Sequence, residues 1–136
     1  MDPASHDVYF DAPGVASVRW DEDGQLVLVE WQGWANAVEF AELLEAEIAA
    51  LRKHRCARIL ADCRRQKVLN PVDQDRANKE WLPRALAAGL KFFAVVVPTS
   101  VLADVNLKAS LDKVPATALK VAYFATPEEA RAWLKR

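Results

Sequence analysis

Apolar and polar residues alternate through VASVRW (Val15–Trp20) and QLVLVEW (Gln25–Trp31), two runs separated by DEDG (Asp21–Gly24). Period-two alternation around an Asp-Gly turn predicts an antiparallel hairpin. In the second strand Leu26, Leu28 and Glu30 fall on one face, with Val27, Val29 and Trp31 on the other. The period then lengthens. NAVEFAELLEAEIAALRKH places Phe40, Leu44, Ile48 and Leu51 in a helical stripe and Glu39, Glu42 and Glu45 on another face. Asn36 with Glu39 three residues on reads as a capping box, and Arg52, Lys53 and His54 suit the negative end of the helix dipole.

The same change of period recurs down the chain. ARILADC (Ala57–Cys63) is a strand, and a helix starts at Asn70-Pro71 and runs toward Ala88, with Gly89 as its stop. Pro83 falls inside this helix, so a kink or break is expected near Leu82. LKFFAVVVP is apolar throughout, as a strand covered on both faces would be. Ser100 or Thr99 caps a third helix, roughly Val101–Asp112; LKVAYFA (Leu119–Ala125) is the last strand; Thr126, Pro127 and Glu129 open a final helix. The order is β-β-α-β-α-β-α-β-α, a hairpin followed by βα units, which predicts a mixed sheet with a largely parallel core. Residues 1–14 are polar and read as a flexible leader, leaving 15–136 as a single α/β domain.

Composition narrows the function classes. With 136 residues, 52% of them hydrophobic and 27% charged, the chain has the size and composition of one ordinary soluble domain. A formal net charge of -1 gives nucleic acid no strong attraction, so no nucleic-acid partner is expected. The charge is uneven: Glu39, Glu42, Glu45 and Glu47 precede a basic stretch of Arg52, Lys53, Arg55, Arg58, Arg64, Arg65 and Lys67. Such runs are usually solvated faces. Cys56 and Cys63 match no zinc or redox spacing. The N-terminus shows no signal-peptide pattern, and FFAVVV is too short for a membrane span. A cytoplasmic protein with reduced thiols and no integral membrane segment is therefore expected.

Three segments carry a resemblance to a known family: the hairpin LVLVEWQG leading into EFAELLEA, the strand RILADCR, and NPVDQDRANKEWLPRALAAGLKFFAVVVP. With the element order, they resemble the STAS domains, which include the anti-sigma-factor antagonists, and more closely the SpoIIAA-like proteins, small stand-alone bacterial domains of the same fold. The resemblance implies a STAS (SpoIIAA)-like mixed sheet and a regulatory role through protein contacts. Regulatory members place a phosphorylatable serine at the start of the second helix, after a strand ending in Asp. Asp62 matches the acid, but no Ser or Thr occurs between Asp62 and Ala88, so the phosphoserine switch does not carry over.

The strand-to-helix junction ADCRRQKVLNPVDQ is where an open α/β fold would keep a site. Asp62 is its most site-like carboxylate, and Arg64, Arg65 and Lys67 form a basic loop suited to an anion or partner. Asn70 is positioned as a helix cap, and Asp73 and Asp75 supply negative charge to the first turn, which disfavours an anion there. Asp62, Asp73 and Asp75 make a cation site only if they converge. Cys63 with His54 is the one conceivable nucleophile and base. No G-x-S-x-G, P-loop or H-E-x-x-H motif occurs, so no catalytic residue, cofactor or metal is expected. Trp81 and Arg84 flank Pro83 and suggest a pocket wall or contact surface. The candidate binding surface is therefore Asp62, Arg64, Arg65, Lys67, Asn70, Trp81 and Arg84. Its expected role is non-catalytic contact with a protein partner or a second copy of the chain. The alternative is an apolar ligand, a lipid or acyl chain, held near the Pro83 break.

Overall fold

The computed structural model describes residues 7–136; residues 1–6, part of the expected leader, lie outside the described residues. The chain runs β1 (Val8–Ala12), β2 (Ala16–Asp21), β3 (Leu26–Trp31), α1 (Ala37–His54), β4 (Arg58–Asp62), α2 (Pro71–Ala87), β5 (Phe92–Val96), α3 (Val101–Leu111), β6 (Lys120–Phe124) and α4 (Pro127–Leu134). The strands form one sheet in chain order, antiparallel from β1 to β3 and parallel from β3 to β6. From β2 onward this is the expected hairpin followed by βα units.

The reading of 1–14 as a leader needs correction, because Val8–Ala12 is an edge strand. Phe10 pairs with Val18 and Ala12 with Ala16, with an irregularity between Val8 and Phe10. Five residues interrupted by Asp11 are too short to show a period of their own. The strand is specified by its partner β2 and by Tyr9 and Phe10 packing on the core.

Each parallel connection, β3-α1-β4, β4-α2-β5 and β5-α3-β6, advances across the sheet in the same direction. Right-handed crossovers then put all three helices on one face. The core on that face joins Val27, Val29, Ile59, Ala61 and Val95 of the sheet to Leu43, Ile48 and Leu51 of α1, Ala85 of α2 and Leu107 of α3. On the opposite face Leu26, Leu60, Ala94 and Val96 meet Ala130 and Leu134 of α4. The alternation read in β3 thus divides its side chains between two cores.

The helix ends follow their sequence signals. Asn36 and Glu39 form the capping box, and Asn70, Ser100 and Thr126 accept backbone N–H bonds at the other three starts. Gly89 has φ +113, which ends α2 in a conformation that disfavours a side chain. The expected break at Pro83 does not occur: α2 is helical through it. Pro83 is exposed, so water can satisfy the carbonyl its ring leaves unbonded, while Trp81, Leu82, Ala85 and Leu86 hold the other side of the helix on the core.

Candidate functional site

The carboxyl ends of β3, β4 and β5 open into a polar cleft of about 440 Å³, lined by Glu30, Trp31, Gln32, Asp62, Arg64, Arg65 and Thr99. Asp62 ends β4 and is held by the residue two positions on. Its Oδ1 accepts from Arg64 N (3.2 Å) and Nε (3.0 Å), and its Oδ2 accepts from Arg64 Nη2 (2.7 Å). Partial burial of the Asp62 carboxyl works to raise its pKa. The Arg64 side-chain and backbone donors, with the charges of Arg64 and Arg65, outweigh it and hold the pKa below the ordinary value. Asp62 is therefore an ionised anchor for its own loop.

That loop is tied down along its length. Arg64 O accepts from Thr99 N (3.2 Å) and Oγ1 (3.0 Å), and Lys67 N donates to Gly33 O (3.1 Å). Gly33 is needed there, since a Cβ would lie 2.6 Å from the Gly14 carbonyl oxygen. Leu69 is buried, its N–H donating to Asn106 Oδ1 (3.0 Å) and its carbonyl accepting from Asn106 Nδ2 (3.2 Å). Gln74 completes the lock, exchanging side-chain bonds with Asn106 at 3.2 and 3.3 Å. These bonds bring the loop against the start of α3, where Val101, Leu102 and Val105 are 77%, 74% and 62% exposed; Val68 in the loop and Val72 in the first turn of α2 are also exposed. Sequence reasoning missed this apolar surface. Its signal was there: Val101, Leu102 and Val105 lie off the stripe of Ala103 and Leu107 that α3 buries.

Trp81 and Arg84 stand in a different concavity, a groove of about 100 Å³ between α1 and α2. Trp81 Nε1 donates to Leu44 O (3.1 Å) across the groove, and Arg84 makes a two-pronged ion pair with Glu45. Pro83 does not line the groove, so the pocket expected at a Pro83 break is replaced by one between two unbroken helices. The seven candidate residues therefore divide. Asp62, Arg64 and Arg65 share the cleft, Lys67 is exposed beside it, Asn70 caps α2 through Val72 N (2.8 Å), and Trp81 and Arg84 belong to the groove.

Beneath the groove lies a further cavity of about 80 Å³ under α1, α2 and α3, sharing Phe40, Leu44, Ala77 and Trp81 with it. Its lining includes Glu47, read from the sequence as part of a solvated acidic run. Glu47 is 4% exposed, and among the described residues its Oε2 has no hydrogen-bond partner. It lies four residues from both Leu43 and Leu51 on the face that α1 turns to the sheet. Burial pushes its pKa up from 4.5 to about 8.

Other pairings considered from the sequence are not assembled. His54 ends α1 before β4 begins and stacks on Trp20 at 3.9 Å, while Cys63 follows the far end of β4. A five-residue strand places them roughly 16 Å apart along the sheet. The Cys63 thiol is buried, and burial, with Asp62 and Glu47 adding to it, pushes its pKa up. Asp75 pairs with Lys113, and among the described residues no three His, Cys, Asp or Glu side chains gather as a metal ion would require. Among the described residues no helix is long and apolar enough to cross a membrane.

A mixed six-stranded sheet with a hairpin at its N-terminal side, three crossover helices on one face and a terminal helix on the other is a STAS-like architecture. The solved structure of an anti-sigma factor antagonist from Mycobacterium paratuberculosis is similar, with a TM-score of 0.54 and 16% sequence identity over 93% of this chain and 100% of that one. That likeness establishes the fold and agrees with the resemblance in the sequence. No family model matches the chain, and no curated protein matches it.

Proposed function

We propose that this protein is a non-catalytic, STAS-like binding module whose partner is another protein, docked where the Arg64–Asn70 loop meets the start of α3. The observation that carries the reading is the exposed group Val101, Leu102, Val105, Val68 and Val72, beside the exposed Arg65 and Lys67. Large apolar side chains left exposed on neighbouring elements, with charged residues close by in the chain, are what an interaction surface presents. The loop beneath them is held by the Asp62–Arg64 pair and the Asn106 amide, so little ordering is needed on binding. The chemistry fits a partner with an apolar face bordered by carboxylates. The fold neighbour, an anti-sigma factor antagonist by name, supports a protein target. With no hydroxyl between Asp62 and Ala88, the docking is read as independent of a phosphoserine at the start of α2.

The test is affinity capture from the source cells, followed by titration of the purified captured protein. Leu102→Asp and Arg65→Glu should each weaken binding at least tenfold, about 1.4 kcal/mol. Trp81→Ala, in the separate groove, should leave it unchanged. Binding indifferent to Leu102→Asp and Arg65→Glu would refute the assignment. So would a purified chain that meets only itself, by light scattering with and without those substitutions.

A further inference from the structure

We propose that the cavity beneath α1, α2 and α3 binds a compact alkylammonium ion, of about six heavy atoms by volume, whose charge is met by the carboxylate of Glu47. This site is independent of the docking end. The chain places one carboxyl group where packing alone would favour a leucine, and burying such a group without a partner is costly. Of the three amides in the lining, Gln66, Gln74 and Asn78, the last two have side-chain partners within the fold. Gln74 is bonded both ways with Asn106, and Asn78 Nδ2 donates to Ser110 O (3.0 Å) and Oγ (3.3 Å). Glu47 Oε2 is left over.

The rest of the lining indicates a cation with a short apolar body. Trp31, Phe40, Trp81 and Phe93 supply aromatic walls, which accept both alkyl groups and positive charge. Among the described residues no Lys, Arg or His lines the cavity. The groups facing Glu47 from β3 and β5 are Trp31 and Phe93, and those from α3 are Leu107, Ser110 and Leu111. From α2 come Gln74, Ala77, Asn78 and Trp81; among the described residues the only other titratable lining group is Cys63, kept neutral by its burial. A ligand cation is thus the missing counter-charge. Its route in is the α1–α2 groove, where Glu45, Asp73 and Glu80 face Arg76 and Arg84, a balance of one negative charge. The Trp81–Leu44 hydrogen bond spans that route. An occupant held only by apolar contact, such as an acyl chain, would leave the carboxyl unmatched.

Titration calorimetry of the full chain with n-butylammonium chloride and with neutral 1-butanol, from pH 6 to pH 8, tests the proposal. Cation binding must displace the proton that burial keeps on Glu47, so affinity for butylammonium should rise close to tenfold per pH unit from pH 6 to pH 7. Binding of 1-butanol should be at least tenfold weaker at pH 8. Glu47→Gln should abolish the preference for the cation while the protein stays folded by thermal melting. Ala77→Leu, which narrows the passage and leaves Glu47 in place, should weaken butylammonium at least tenfold. Equal affinity for the two probes, butylammonium binding that survives Glu47→Gln, or a folded native chain that binds neither probe would each overturn it.

Discussion

Replacing Glu47 by Gln should stabilise the ligand-free protein, by an amount set by pH. Below the ordinary carboxyl pKa of 4.5 the side chain is protonated in both folded and unfolded states and contributes nothing to the difference between them. Between 4.5 and about 8 the unfolded chain has released this proton and the folded chain keeps it, so the folded state binds more protons and stability falls as pH rises. Each pH unit in that window costs about 1.4 kcal/mol. At pH 7 the accumulated cost is about 3 kcal/mol, and it levels off near 5 kcal/mol once pH passes the folded-state value. Gln has similar shape and does not titrate, and it carries no such cost. Urea unfolding of both proteins at pH 5, 6, 7 and 8, followed by tryptophan fluorescence, isolates the effect because every other titrating group is common to the two. The variant's advantage should be under about 1 kcal/mol at pH 5 and about 3 kcal/mol at pH 7. An advantage that is flat across the range would refute the argument from burial. One that shrinks with pH would mean that a cation of the chain itself holds Glu47 ionised.

Two further outcomes follow from the loop. Asn106→Ala removes both bonds to Leu69 and the pair with Gln74, leaving buried amide groups unsatisfied, and should lower stability by about 2–3 kcal/mol, read as a lower urea midpoint at unchanged slope. Asp62 has a folded-state pKa below the ordinary one, so its stabilising contribution is present above the ordinary value and is lost as pH falls through the folded one. Asp62→Asn should therefore unfold at lower urea than the native protein at neutral pH, and the gap should close in acid.

The elements with complete local signals were legible in the sequence. The hairpin declared itself through alternation around Asp21–Gly24, and the capped helices through Asn36, Asn70, Ser100 and Thr126, because each signal lies within a few residues of what it specifies. The misreadings share one cause, a partner distant in sequence. Val8–Ala12 becomes a strand only because β2 offers it an edge. Pro83 is tolerated because α2 keeps its proline outward and its tryptophan inward. Glu47 looked like one acid among several until the sheet fixed which side of α1 faces inward, although its spacing from Leu43 and Leu51 already placed it in the buried stripe. Asp62 and Arg64 were legible as residues of interest, yet sequence alone could not show that they spend their charges on each other.

The consecutive order of the six strands bears on how the chain must be completed. Since each strand pairs with the next in sequence, a chain ending before Lys120 would leave β5 at the border of the sheet. β5 is Phe92–Val96, a stretch without a single charge, polar side chain or proline. Such a segment with unpaired backbone groups is a template for pairing with other molecules. β6, whose Lys120 is exposed, closes that border, and α4 covers the outer face behind it. The last elements of the fold thus act as a seal: until they dock, the most adhesive strand of the protein stands open to its neighbours.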